Sequence, residues 1–232
     1  MSRRTTALAA ALSLLPLGQP LLLGSTTALV TAAVVLSTQA AHAQSAEDFL
    51  DAGVEQGKRG DFKEAIADFT RAIEIDPQYA GAYNNRGNVK SYLRDYQGAI
   101  ADYNKAIEIN PQYADAYTNR GFAKDELKDY QGAIADYTKA IEINPQDAGA
   151  YTNRGYAKYK LNDYQGAIAD YNKAIVIDPQ YALAFANRGD SKKRLGNEKD
   201  ACTDYKKSAS LGYQGAAQWL NSAGGAWCRN MR

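Results

Sequence analysis

The chain has 232 residues and a formal net charge of +1 at pH 7, so its bulk charge gives no case for nucleic acid, whose phosphates need a basic stripe. Its one histidine, His42, falls in a leader-like segment, so a chain that loses that segment can build no Ser–His–Asp site, Cys–His site or histidine metal centre. No phosphate-binding loop or dinucleotide fingerprint appears either, and no enzyme activity, cofactor, metal or small-molecule substrate is expected.

Residues 1–43 differ from everything that follows. Arg3 and Arg4 open the chain, and no further charged residue occurs before Glu47 apart from the largely neutral His42. Pro16 and Pro20 interrupt the first apolar stretch. A second stretch runs from Leu21 to Ser37 and ends at Ala41-His42-Ala43. A basic start, an apolar core and a small-x-small ending form the layout of a secretory signal peptide, which predicts export to a periplasm, a thylakoid lumen or the medium after cleavage near Ala43. The alternative is an uncleaved leader that anchors a structural envelope protein, although this weakly apolar stretch is marginal for spanning a membrane. Thr5, Thr6 and Ala7 lack the apolar residues usual after a twin-arginine pair.

The remainder is repetitive. Residues 80–113 recur as 114–147 and 148–181; 46–79 is a looser copy, 182–213 a degraded one, and 214–232 a tail. A fixed period of this length marks stacked supersecondary units. Each unit is counted below from its first alanine as position 1. Ala82, Val89 and Leu93 share one face of a first helix. Position 16 is Asp61, Asp95, Asp129, Asp163 or Asn197, able to accept from the free N–H groups of a second helix. That helix runs from position 17 to about position 30. It must stop before Pro77, Pro111, Pro145 and Pro179, because proline disfavours helical geometry in the residue before it.

With an aromatic at position 4, glycine at 8, alanine at 20, an aromatic at 24, alanine at 27 and proline at 32, the chain resembles tetratricopeptide repeat proteins. The second unit carries Tyr83, Gly87, Ala99, Tyr103, Ala106 and Pro111, and the other units follow, except that the fifth has Ser208 at position 27 and lacks the proline. The resemblance implies an all-α, right-handed solenoid of about five helix-turn-helix units with a C-terminal capping helix. Two columns depart from the family. Position 7, usually leucine, is Arg86, Arg120, Arg154 and Arg188; position 11, usually tyrosine, is Lys90, Lys124, Lys158 and Lys192. A charge at an apolar position needs a partner, and position 23 (Asp68, Asp102, Asp136, Asp170, Asp204) supplies one. Structural Arg–Asp ladders are expected; an anion-binding arginine row is the alternative.

In this family the first helices line a concave face through positions 2, 5, 9, 12 and 13. The second to fourth units differ at eleven positions, six of them groove or rim positions, as expected if one packing problem is shared while the presented surface changes. Drift at exposed sites is the competing explanation. The expected groove comprises Asn84, Asn88, Ser91 and Tyr92; then Asp115, Thr118, Phe122, Asp125 and Glu126; then Thr152, Tyr156, Tyr159 and Lys160; and finally Ala186, Asp190, Lys193 and Arg194. Rings give large contact area at small entropic cost, so a protein or peptide segment is the expected partner. The basic residues of the family's carboxylate clamp are missing. Asp125 and Glu126 form the one acidic pair in the groove that breaks the repeat, and a solvated face explains it better than acid–base chemistry does. The position-6 asparagines are expected to bridge neighbouring helices.

Ala216, Ala217, Trp219 and Leu220 predict a short amphipathic helix, the cap a solenoid needs over its last repeat. The segment also resembles the closing part of bacterial repeat proteins, including Sel1-like ones. Cys202 and Cys228 are the only cysteines. An even number in an exported chain favours a disulfide, and position 21 should face the cap; two buried free thiols are the alternative. The predicted whole is a non-enzymatic scaffold or assembly factor acting outside the cytoplasm.

Overall fold

The computed structural model describes residues 45–229. The expected leader lies outside the described residues. Five helix pairs follow one another: α1 (Ala46–Arg59) with α2 (Phe62–Ile75), α3 (Ala80–Tyr92) with α4 (Tyr96–Ile109), α5 (Ala114–Glu126) with α6 (Tyr130–Ile143), α7 (Ala148–Lys160) with α8 (Tyr164–Ile177), and α9 (Ala182–Arg194) with α10 (Glu198–Ser210). The helices of a pair pack on each other, and each second helix packs on the first helix of the next pair. The result is an all-α solenoid.

Close packing depends on the small columns. A Cβ at Gly87, Gly121 or Gly155 would lie 2.6, 2.8 or 2.7 Å from the ring of Tyr103, Tyr137 or Tyr171. These three rings are fully buried between the paired helices, beside alanines such as Ala99, Ala133 and Ala167. Glycine therefore lets the ring press flat on the backbone of the first helix, where any larger residue would separate the pair.

The turn chemistry agrees with the expectation in three units and departs from it in two. Asp95, Asp129 and Asp163 accept from the backbone N–H of Gly98, Gly132 and Gly166. Asp61 and Asn197 make no such cap. The third residue of the helix explains the difference: a Cβ at Gly98, Gly132 or Gly166 would overlap the capping carboxylate. The first and fifth units place Glu64 and Asp200 there instead. Each second helix before a proline ends in an Asx turn. Asp76, Asn110, Asn144 and Asp178 accept from the backbone N–H two residues on, at 2.9 to 3.2 Å.

The charged columns form a continuous ladder. Arg86 donates through Nε and Nη2 to Asp102 at 3.0 and 2.7 Å, and Lys90 Nζ lies 2.7 Å from the same carboxylate. The free Nη1 of Arg86 donates to Thr70 Oγ1 in the preceding unit at 3.0 Å. Arg120, Arg154 and Arg188 repeat this fork on Asp136, Asp170 and Asp204 while reaching back to Asn104, Thr138 and Asn172. Each guanidinium also lies over the ring three residues earlier, for example Arg120 over Tyr117 at 5.4 Å. One arginine thus joins both helices of its own unit to the unit before it. No open arginine row remains for anions. In the first unit Gln56 and Arg71 hold Asp68 instead.

The end of the solenoid is covered by α11 (Gln214–Asn221), a 3-10 turn (Ala223–Gly225) and α12 (Ala226–Arg229). The Trp219 ring packs 4.3 Å from Tyr205 and 6.1 Å from Trp227, centroid to centroid. Cys202 and Cys228 are joined in a buried disulfide with Cα atoms 5.4 Å apart. Ser208, which replaces the usual alanine, donates to the carbonyl of Ala182 at 2.7 Å.

Candidate functional site

The expected groove residues sit at three depths. Asn88, Tyr92, Asp115, Phe122, Glu126, Tyr156, Lys160, Asp190, Lys193 and Arg194 are exposed, with Tyr92 the most open ring of the row at 71%. Thr118, Asp125 and Tyr159 are half-buried. Asn84, Ser91 and Thr152 are buried at 4%, 9% and 1%, as is Ala186, so they are not the open surface residues expected, although Ser91 and Ala186 still line concavities of this face. At Asn84 and Thr152, position 5 is turned into the helix packing instead of onto the open face. Asn84 Oδ1 accepts from Asn119 Nδ2 at 3.1 Å, and Thr152 Oγ1 donates to its own helix at Ala148. That Asn84–Asn119 contact is a bridge of the kind expected of the position-6 asparagines. Ser91 is buried because its side chain is short. At the same column the longer Asp125 and Tyr159 are half-buried and Lys193 is exposed.

Along this face lie concavities of about 400 Å³ between α1 and α3 and about 490 Å³ between α3 and α5. A third, about 230 Å³, lies between α9 and the cap, where Asp190 accepts from Tyr205 Oη at 2.7 Å. The charge is graded: Asp115, Asp125 and Glu126 lie on α5, while Lys160, Lys193 and Arg194 lie towards the C-terminal end. Burial pushes the Asp125 carboxyl up to about 6, with help from neighbouring Glu126 and against Lys160. Asp125 Oδ1 and Thr118 Oγ1 are buried atoms with no hydrogen-bond partner. So is Tyr171 Oη, whose phenol is raised by burial first and then by Asp190 and Tyr159. The corresponding Tyr103 donates to Asn88 Oδ1 at 2.9 Å; Tyr156 occupies that acceptor's place in the fourth unit.

One column of the candidate site is not evident from the sequence. Position 17, treated only as a helix start, is Phe62, Tyr96, Tyr130 and Tyr164. These rings form a shelf beneath position 13 of the following unit. Tyr92 packs on Phe62 at 4.6 Å between centroids, Tyr96 Oη donates to Glu126 Oε2 at 3.0 Å, and Lys160 Nζ lies 6.0 Å from the Tyr130 centroid. Tyr164 contacts Tyr159, whose hydroxyl accepts from Arg194 Nε at 3.1 Å. The signal was an aromatic conserved across four internal copies at a place where capping needs none.

Comparison with known proteins bears on the fold and the family. Residues 80–113, 114–147 and 136–169 match tetratricopeptide repeat profiles, and residues 58–91 and 155–196 match a TPR repeat profile, so together the matches span 58–196, more than half of the chain. A search of curated proteins found no match. Among solved structures, MamA is similar at 25% identity, covering 71% of this chain and 96% of its own, with a TM-score of 0.65. PilW, described as a widely conserved type IV pilus biogenesis factor, aligns at 24% identity over 78% of this chain and 89% of its own, TM-score 0.68. YrrB, described as a TPR protein with an unusual peptide-binding site, aligns at 21% identity over 83% and 97%, TM-score 0.63.

Proposed function

The chain belongs to the tetratricopeptide repeat family, and from that premise we propose that it is a non-catalytic scaffold or assembly factor that holds a protein or peptide segment along the face lined by α1, α3, α5, α7 and α9. The observation that carries this reading is the row of exposed rings on that face: Tyr92, Phe122 and Tyr156 are 71%, 44% and 40% exposed, on a solenoid whose repeated side chains are otherwise engaged in packing. Large rings left open at variable columns supply the contact area that dominates protein recognition. Fold relatives described as a pilus biogenesis factor and as a peptide binder are consistent with this role.

The scaffold is proposed to act outside the cytoplasm after cleavage near Ala43. A disulfide between Cys202 and Cys228 suits an oxidising compartment. A mature protein beginning at Gln44 is expected on sequencing its amino terminus; a retained leader would favour the envelope-anchored reading.

The function is tested by capture from an envelope extract with wild-type protein and with a variant carrying alanine at Tyr92, Phe122, Tyr156 and Tyr159. The wild type should recover a defined set of proteins that the variant loses, with helical circular dichroism the same in both. Recovery of one and the same set by both baits ends the groove reading.

A further inference from the structure

We infer that the junction between the second and third units seats a basic side chain of the bound segment, an arginine or lysine, on the rings of Tyr96 and Phe122 and against the carboxylate of Glu126. This rests on the reading that the face holds a protein segment.

Position 17 offers a ring at every junction (Phe62, Tyr96, Tyr130 and Tyr164), position 9 of the next unit adds a second ring only at the second–third and third–fourth junctions (Phe122 and Tyr156), and position 13 belongs to the same face. Between the third and fourth units these rings are Tyr130 and Tyr156, and the chain's own Lys160 rests on them, with Nζ 6.0 and 5.6 Å from the two centroids. Between the fourth and fifth units Arg194, also at position 13, lies over a different ring, 5.9 Å from the centroid of Tyr159, which itself contacts Tyr164. Between the first and second, Tyr92 covers Phe62. The second–third junction keeps its rings but reverses the charge: position 13 is Glu126.

Tyr96 Oη donates to Glu126 Oε2 at 3.0 Å, which fixes the carboxylate over the shelf and leaves Oε1 to accept from a ligand. Beside it opens the concavity of about 490 Å³, walled by Tyr92, Tyr96 and Phe122. Ring faces attract cations, and a planar guanidinium can stack on a ring while it donates to a carboxylate. Asp125, the preceding residue on α5, adds negative field. Arg94 borders the concavity too, but the group that holds Glu126 is the neutral phenol of Tyr96. The two junctions that follow carry their own cations; this one presents the complement of a cation.

The test uses the full chain and a defined probe, N-acetyl-arginine amide, with N-acetyl-citrulline amide as its uncharged isostere. In ¹H–¹⁵N spectra the arginine probe should shift amides of α3 and α5 around Tyr92, Phe122 and Glu126, with citrulline weaker by at least about fivefold. Glu126→Gln should weaken the arginine probe by about fivefold. Glu126→Lys copies the arrangement at Lys160 and should lower it by at least about tenfold. Equal binding of the two probes, shifts confined to other units, or an unchanged response in Glu126→Lys each overturn the inference. Partner capture separates the two readings. If Glu126→Lys still captures the wild-type set undiminished while the four-ring variant does not, the basic side chain is wrong and the groove stands. If the four-ring variant captures that set, the groove reading itself fails.

Discussion

Asp125 shows how one residue can carry a cost that its equivalents avoid. Its column holds Gly57, Ser91, Tyr159 and Lys193 elsewhere, and only this unit places a carboxylate there, half-buried and with Oδ1 unpartnered. Burial, and then Glu126, raise its pKa to about 6 from the ordinary aspartate value of 3.8. The folded protein therefore binds the proton more tightly than the unfolded chain. That contribution to stability is complete below the unfolded pKa and is lost as pH rises through the folded one. Asp125→Asn should melt higher than the wild type above pH 6, by about 2–4 °C after allowing for solvent screening. The difference should vanish below about pH 4. Thermal melts of both proteins from acid to neutral pH measure this; a difference that does not change with pH would show that Asp125 titrates normally.

The helix pair is held by charge where the family uses apolar side chains. Arg120, Lys124 and Asp136 meet between α5 and α6, with the Asp136 side chain 5% exposed and Arg120 18%. Arg120 also reaches Asn104 on α4, so its loss affects three helices. Removing one member leaves buried charge uncompensated, and Asp136→Ala should cost about 3 kcal/mol. Replacing Arg120 by Leu, Lys124 by Tyr and Asp136 by Leu together should recover most of it, because an apolar set of similar volume avoids the desolvation. Urea denaturation of the two variants distinguishes a ladder that stabilises from one that only specifies register. This ladder was legible from the sequence because an arginine column and an aspartate column recur sixteen residues apart, close enough on adjacent helices to meet. The capping glycines were not. Gly98 looks like a weak helix residue until the Asp95 carboxylate folds over it.

At the scale of the molecule, units are covered by their neighbours and the last one by the cap. The disulfide joins Cys202 on α10 to Cys228 on α12 across 26 residues, closing the chain segment that carries Trp219 onto Tyr205. Closing a loop of that length restrains the unfolded chain by about 3.5 kcal/mol. Reduction, or Cys228→Ala, should therefore release α11 and α12 first. Hydrogen exchange should rise in residues 214–229 and in α10 while α3 to α6 keep their protection, since contacts in a solenoid extend only to adjacent units. Uniform loss of protection along the array would mean that the cap governs global folding.

The sequence by itself determined the unit, its two helices and the residues that stack them. Glycine, alanine, ring and proline columns answer local problems that repeat at every period, and repetition makes a local rule visible. It also marked the exposed rings Tyr92, Phe122 and Tyr156 by their variability. Only the tertiary structure decided depth and adjacency. Asn84 and Thr152 share a helical stripe with Asn88 and Tyr156, yet the stagger of successive units turns position 5 inward and position 9 outward. The shelf formed by Tyr96 beneath Glu126 joins residues thirty apart on different units. No periodicity within one helix predicts that contact, because it depends on how one unit is rotated onto the next.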